Sequence, residues 1–297
     1  MKALVICGAT ATGKTALAVA CAQKLNTEIV SADSMLIYRG LDIGTAKPSK
    51  AEQGGVKHHM IDVASAKEKF SVSDYEKAAL PIVERLLDEG KTPIICGGTG
   101  FYINSLLYKS GFGHAGADEK VRAYYEEILK EKGNAYLHGL LKQKDPESAS
   151  ILHENDVKRV IRALEIYDVT GKKKSEQKDE LIPRFDFQSV CVDYPRDVLY
   201  DRINRRVDIM FENGLEEEVD RLLQSGVDGS DQCMQGIGYK EIVNGRAEGR
   251  SLAEIKEEIK KNTRNYAKRQ ITFFKRMQNN VFLPPEQATV DEILQML

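Results

Sequence analysis

The sequence predicts an α/β protein, a parallel sheet core wrapped by helices and carrying an all-helical insertion. Three observations lead there. An apolar strand, Ala3–Cys7, runs straight into Gly8-Ala9-Thr10-Ala11-Thr12-Gly13-Lys14-Thr15, a full match to the phosphate-cradling P-loop pattern. Short β-rich runs then alternate with longer helical patterns, as in a sheet built from strand-helix-strand units. That alternation stops at Gly111-Phe112-Gly113-His114-Ala115-Gly116, after which only helical patterns appear until a strand returns at Phe187.

The expected elements follow in order. Ala3–Cys7 is a strand, Lys14–Leu25 a helix, and Glu28–Ser31 and His59–Val63 are strands. A helix over Val72–Asp88 contains Pro81, which lacks an amide proton and is expected to kink or break it. Pro93–Cys96 is a strand and a helix starts at Phe101. Past the glycine-rich joint, residues 118–171 are helical, with Val157, Ile161, Leu164 and Tyr167 on one face and Gly171 followed by three lysines as a stop. Phe187–Val192 is a strand. The remainder is helical apart from a short strand at Asn280–Leu283. Its long segment Ser251–Met277 places Leu252, Ile255, Ile259, Tyr266 and Phe273 at helical spacing, with Ser251 and Glu254 as a capping box. The expected domains are 1–113, the first part of the core; 114–186, the helical insertion; and 187–297, the second part with C-terminal basic helices.

A chain of 297 residues with 42% apolar content has ample material for a buried core. No stretch approaches the ~20 apolar residues of a membrane span, and no basic region and apolar segment open the chain, so a cytoplasmic protein without membrane attachment is expected. Cys7, Cys21, Cys96, Cys191 and Cys233 lie far apart, without metal-ligand spacing, and read as buried reduced thiols. The net charge of −2 hides a local concentration of Lys256, Lys260, Lys261, Arg264, Lys268, Arg269, Lys275 and Arg276 on the Ser251–Met277 segment.

In a P-loop the glycines let the backbone wrap phosphate oxygens, and amides at the helix N-terminus point at the anion. Lys14 adds positive charge, and the Thr15 hydroxyl is placed to ligate Mg²⁺. The motif makes the core P-loop NTPase-like without identifying the phosphate compound. Asp33 ends the second strand at the carboxyl edge, where open α/β folds place their ligands; from position alone it could ligate Mg²⁺ indirectly, cap a turn or act as a general base. Thr99, in Gly97-Gly98-Thr99-Gly100, faces the same crevice or caps the next helix. Arg202 and Arg206 are four apart on one helix face, available to a phosphate or simply solvated. His58 and His59 have no acidic or cysteine partner at ligand spacing and read as structural or surface residues.

The motif content goes further. The run from Asp33-Ser34 through Tyr38-Arg39-Gly40-Leu41-Asp42-Ile43-Gly44-Thr45-Ala46-Lys47-Pro48, the Gly97-Gly98-Thr99-Gly100-Phe101-Tyr102 turn and the stretch Asn155-Asp156-Val157-Lys158-Arg159-Val160-Ile161-Arg162-Ala163-Leu164-Glu165 stand in order along the chain. Gly236-Ile237-Gly238-Tyr239-Lys240-Glu241 and Tyr266-Ala267-Lys268-Arg269-Gln270 follow. Together they resemble the tRNA dimethylallyltransferases, the bacterial tRNA isopentenyltransferase family, over nearly the whole chain.

The resemblance implies that residues Gly8 to Thr15, with Mg²⁺, hold the diphosphate of dimethylallyl diphosphate and not ATP. It implies transfer of the prenyl group to the exocyclic N6 amine of adenosine 37 in tRNAs reading codons that start with U. Asp33 is then the general base, Thr99 the tRNA- and substrate-contacting residue grouped with Asp33 and Lys14 in the catalytic set, and Arg202 and Arg206 are assigned to the diphosphate or a tRNA phosphate. Asp33, Ser34, Met35 and Leu36 would meet the flipped base, while Lys158, Arg159, Val160, Ile161 and Arg162, with Arg122, would contact the anticodon stem-loop. No protein partner is evident. The sequence departs from the family pattern at Phe273, where tryptophan is usual, and at Leu36, where many relatives carry glutamine. The rival from another class is a P-loop kinase or ATPase acting on a small metabolite.

Overall fold

Strand-forming apolar runs build one sheet. Its strands are β1 (Ala3–Gly8), β2 (Ile29–Ser31), β3 (His58–His59), β4 (Ile94–Gly97), β5 (Phe187–Val192) and β6 (Asn280–Leu283), in the order β3-β2-β4-β1-β5-β6 with every pairing parallel. This is a computed structural model describing residues 1–109, 118–177 and 181–297. All six residues of β1 are buried, as the central strand of a sheet covered on both faces requires. Val5 lies between Ile95 and Ser189, which fixes the register of three neighbouring strands.

The helices are α1 (Lys14–Leu25), α2 (Val72–Asp88), α3 (Gly100–Leu107), α4 (Glu119–Lys144), α5 (Pro146–Ile151), α6 (Val157–Thr170), α7 (Arg196–Glu212), α8 (Leu215–Gln224), α9 (Tyr239–Ala247), α10 (Leu252–Arg276) and α11 (Val290–Gln295). Chain contacts divide them into two compact units, 1–107 with 183–297 and 108–182. The first holds the sheet; the second is all-helical, with Tyr125, Leu137, Leu141, Val160 and Leu164 at its centre. The glycine-rich joint at 111–116 and the expected boundary at 113/114 lie outside the described residues. No described helix is long and apolar enough to cross a membrane. All five cysteines are buried free thiols.

Three local expectations need correction. The strand expected over His59–Val63 is only His58–His59, because Met60 and Asp62 turn into left-handed backbone (φ 61° and 57°) and end it. The helix α2 runs unbroken through Pro81, which sits with Lys77 on the exposed face, where loss of the bond to the Lys77 carbonyl is tolerated. On α10, Leu252 is exposed, and the buried stripe is Ile255, Ile259, Ala267, Gln270 and Phe274. Ser251 and Glu254 form the capping box.

Candidate active site

The P-loop follows β1 without an intervening turn. Gly8 leaves the strand at φ 148°, where a Cβ would lie 3.2 Å from the Val192 carbonyl oxygen, and Gly13 opens α1 at φ 82°. Thr12 Oγ1 donates to the Ala9 carbonyl at 2.9 Å and Lys14 Nζ donates to the same oxygen at 3.3 Å, so the loop is closed on itself. Burial lowers the pKa of Lys14, partly opposed by Cys96 and Asp33.

Asp33 follows β2 and opens a short turn in which its Oδ1 accepts from the Met35 amide at 2.9 Å. The Ser34 amide donates to Thr99 Oγ1 at 3.0 Å, and Thr99 Oγ1 donates to Ser34 Oγ at 3.3 Å. The Asp33 turn and the Gly97-Gly98-Thr99 turn are thereby stitched together. From α10, the Tyr266 hydroxyl approaches the side chains of Thr99 and Gln270; burial and the nearby Asp33 push its pKa up to about 12, so it stays protonated.

Helix α7 brings both arginines to the loop. Arg202 Nε donates to the Ala11 carbonyl at 2.7 Å and its guanidinium stacks on Tyr194 at 4.7 Å. Arg206 reaches the Thr45 carbonyl at only 3.5 Å, and its buried Nε has no hydrogen-bond partner. An unsatisfied buried guanidinium donor is the state expected of a group awaiting an anion.

Two chambers meet here. One, of about 110 Å³, is lined by Lys14, Thr15, Ser31, Asp33, Leu36, His58 and Arg206. The other, of about 300 Å³, is lined by Met35, Ile203, Val207, Met210, Ile237 and Ile259. Thr10, Asp33, Thr45, Arg206 and Tyr266 belong to both walls. A polar chamber at the P-loop therefore opens onto a largely apolar one, with a carboxylate at the junction.

Sequence reasoning missed His58, Tyr266 and Gln270 as site residues. His59 is bound to Glu28 at 2.5 Å, but His58 lines the polar chamber: its Nδ1 meets the Val56 carbonyl at 2.9 Å while its buried Nε2 has no partner. Burial lowers the His58 pKa. The only sequence signal for Tyr266 and Gln270 was their place in the Tyr266-Ala267-Lys268-Arg269-Gln270 run.

The Asp42 to Lys47 run builds the site's wall. Lys47 Nζ is held by the Tyr38 carbonyl at 2.8 Å, Asp42 at 2.7 Å and Asp62 at 2.5 Å, and the Asp42, Ile43 and Gly44 amides donate to the buried Glu218 carboxylate at 2.9, 2.8 and 3.1 Å. Phe273 packs on Gly100, where a Cβ would lie 2.2 Å from its ring, so the smaller aromatic still fills that contact.

The residues expected to meet RNA divide. Lys158 and Arg159 are exposed, Arg159 paired with Asp156 at 3.0 Å. Val160 and Ile161 are core residues of the helical unit, so the expectation that their side chains contact RNA is corrected. Arg122 and Arg162 pair with the fully buried Glu165 at 2.9 and 2.7 Å, which ties both to the fold. On α10, Lys256 and Lys260 are bound to Asp208 of α7 at 2.8 and 3.0 Å, whereas Lys261, Lys268, Arg269, Lys275 and Arg276 stay exposed.

A parallel sheet whose first strand delivers a P-loop to its carboxyl edge, opposite a carboxylate, defines a P-loop NTPase-like α/β enzyme. The chain belongs to the IPP transferase family, whose family model matches residues 36–277. It is 47% identical to the tRNA dimethylallyltransferase of Acetivibrio thermocellus over 97% of this chain and 93% of that protein. It is also 47% identical to the tRNA dimethylallyltransferase of Bacillus cytotoxicus over 92% of this chain and 87% of that protein. The crystal structure of the full-length tRNA isopentenylpyrophosphate transferase from Bacillus halodurans superposes with a TM-score of 0.73 at 38% identity, covering 99% of this chain and 94% of that one. A eukaryotic dimethylallyltransferase acting on tRNA superposes with a TM-score of 0.81 at 30% identity, covering 97% of this chain and 74% of that one.

Proposed function

We propose that this enzyme transfers the dimethylallyl group of dimethylallyl diphosphate to the N6 amine of adenosine 37 in tRNAs reading codons that start with U, releasing diphosphate. The observation that carries this reading is the junction at Asp33 and Arg206 between the P-loop chamber and the apolar chamber. Phosphoryl transfer would pair the P-loop with a site for a polar hydroxyl acceptor, whereas the second chamber here is largely apolar, as suits a prenyl chain and a nucleobase. Alkyl transfer needs an anion site and an acceptor site meeting at carbon, with a base at the meeting point.

The diphosphate is taken up by amides of the Gly8–Thr15 loop other than that of Thr10, which Gln270 holds, by Lys14 and by Arg202 and Arg206. As the allylic carbon–oxygen bond breaks, its electrons pass to the diphosphate oxygen, and these preorganised charges stabilise the anion. The adenine amine attacks the freed carbon, and Asp33 accepts its proton. Thr99 and Ser34 hold the Asp33 turn, while Met35 and Leu36 flank the incoming base. Reaching the site requires the adenine to leave its stack. Lys158 and Arg159 bind the anticodon stem-loop phosphates.

Mg²⁺ fits the residues present. The Ser31 hydroxyl is buried without a partner in the same chamber as Thr15 and Asp33, an all-oxygen set suited to a hard cation that also takes phosphate ligands. Thr15 and Ser31 would hold it. When bound, it neutralises charge on the leaving diphosphate.

The test is calorimetric titration in the presence of Mg²⁺. Dimethylallyl diphosphate should bind at least tenfold more tightly than ATP. Tight ATP binding with none of the prenyl diphosphate would transfer the site to the kinase class.

A further inference from the structure

The polar chamber and the Asp33 turn come from different parts of the sheet edge, yet one buried side chain touches both sides. Gln270, on the core face of α10, accepts the Thr10 amide proton at Oε1 (2.9 Å) and donates from Nε2 to the Gly98 carbonyl at 2.9 Å. The fit leaves no slack: a Cβ on Gly98 would lie 2.3 Å from Nε2. Gly98 precedes Thr99, which receives the Ser34 amide, and the Tyr266 hydroxyl lies beside both Thr99 and Gln270. A continuous path thus runs from the P-loop through Gln270 to the turn that carries Asp33.

We propose that Gln270 is a positioning residue for prenyl transfer, fixing the diphosphate cradle to the Thr99 turn so that Asp33 stays in register with the reacting carbon. This rests on the roles given above to the P-loop, Thr99 and Asp33. Its amide is the group this needs, since one side chain must both accept from a backbone amide and donate to a backbone carbonyl. It also means that the Thr10 amide is already engaged by protein, leaving the diphosphate to the rest of the loop. A misplacement of about 1 Å between reacting groups can lower a rate on the order of a hundredfold.

The experiment compares Q270L and Q270E with the wild type in single-turnover transfer to unmodified tRNA across pH 6 to 9, with melting temperature and diphosphate affinity measured in parallel. Q270L loses both bonds, and its turnover should fall at least tenfold at every pH while KM for either substrate moves less than about threefold. In Q270E the introduced carboxyl is buried against a carbonyl, which raises its pKa. Protonated, it accepts and donates as glutamine does; ionised, it cannot donate. Its turnover relative to wild type should therefore be near one at the acid end and fall as pH rises, whereas the Q270L ratio stays flat. Should Q270L fail to fold, the pH-dependent ratio of Q270E carries the test alone. Wild-type turnover in either variant at all pH values, a pH-independent Q270E ratio, or losses that follow melting temperature alone would overturn the proposal. Absence of transfer by the wild type would instead remove the functional reading beneath it.

Discussion

Lys14 shows how function and stability oppose each other in one residue. Burial lowers its pKa, so the folded chain holds the lysine proton less tightly than the unfolded chain does. Stability of the ligand-free protein therefore rises with pH from that lowered value up to the ordinary 10.5, the window in which the unfolded state binds more protons. Lys14→Met should raise the melting temperature of the ligand-free protein in scanning calorimetry while lowering kcat/KM for the prenyl diphosphate by roughly a hundredfold or more. A melting temperature that falls would mean that the lysine is structural. Asp33→Asn should reduce turnover by about a hundredfold or more with tRNA affinity nearly unchanged, as loss of a general base does; turnover close to wild type would remove Asp33 as the base. The P-loop residues were legible because their chemistry is local and consecutive. Gln270 and His58 were not, since a glutamine in a helix gains meaning only from the distant Thr10 and Gly98 backbone, and a histidine in a short strand only from the P-loop residues that share its chamber.

Among the elements, α6 separates residues that a motif lists side by side. The stretch Lys158 to Arg162 reads as one RNA-binding unit, yet a helix turns 100° per residue and sends its members to different places. Val160 and Ile161 enter the core of the helical unit, Arg162 joins Arg122 on buried Glu165, and Lys158 and Arg159 face solvent. The variant Lys158→Ala with Arg159→Ala should keep its melting temperature and flatten the slope of log affinity for tRNA against log salt by roughly 1.5, the loss of two phosphate contacts. Arg122→Ala with Arg162→Ala should instead destabilise the protein by about 3–5 kcal/mol in denaturant titration, because Glu165 is left charged and unpaired. If the second pair altered only the salt slope, the assignment of the arginines would be reversed. Periodicity located α6 and α10 well, but it could not tell Lys256 and Lys260 from Lys268, because their partner Asp208 lies on α7.

For the whole molecule, strand order and chamber layout decide what the P-loop is for. The alternation of strands and helices was enough to give a parallel sheet, and the change to purely helical patterns marked the second unit. Neither pattern shows that α7 and α10 close over the carboxyl edge and divide the space beside it into a polar and an apolar chamber joined at Asp33. That arrangement turns a cradle shared with nucleotide enzymes into one side of an alkyl-transfer site. The most direct measurement incubates the protein with Mg²⁺, unmodified tRNA and dimethylallyl diphosphate labelled in the prenyl carbons, followed by nuclease mapping of the product. The label should appear on N6 of adenosine 37 with one diphosphate released per group transferred. Rapid ATP turnover with no label in the RNA would contradict the account.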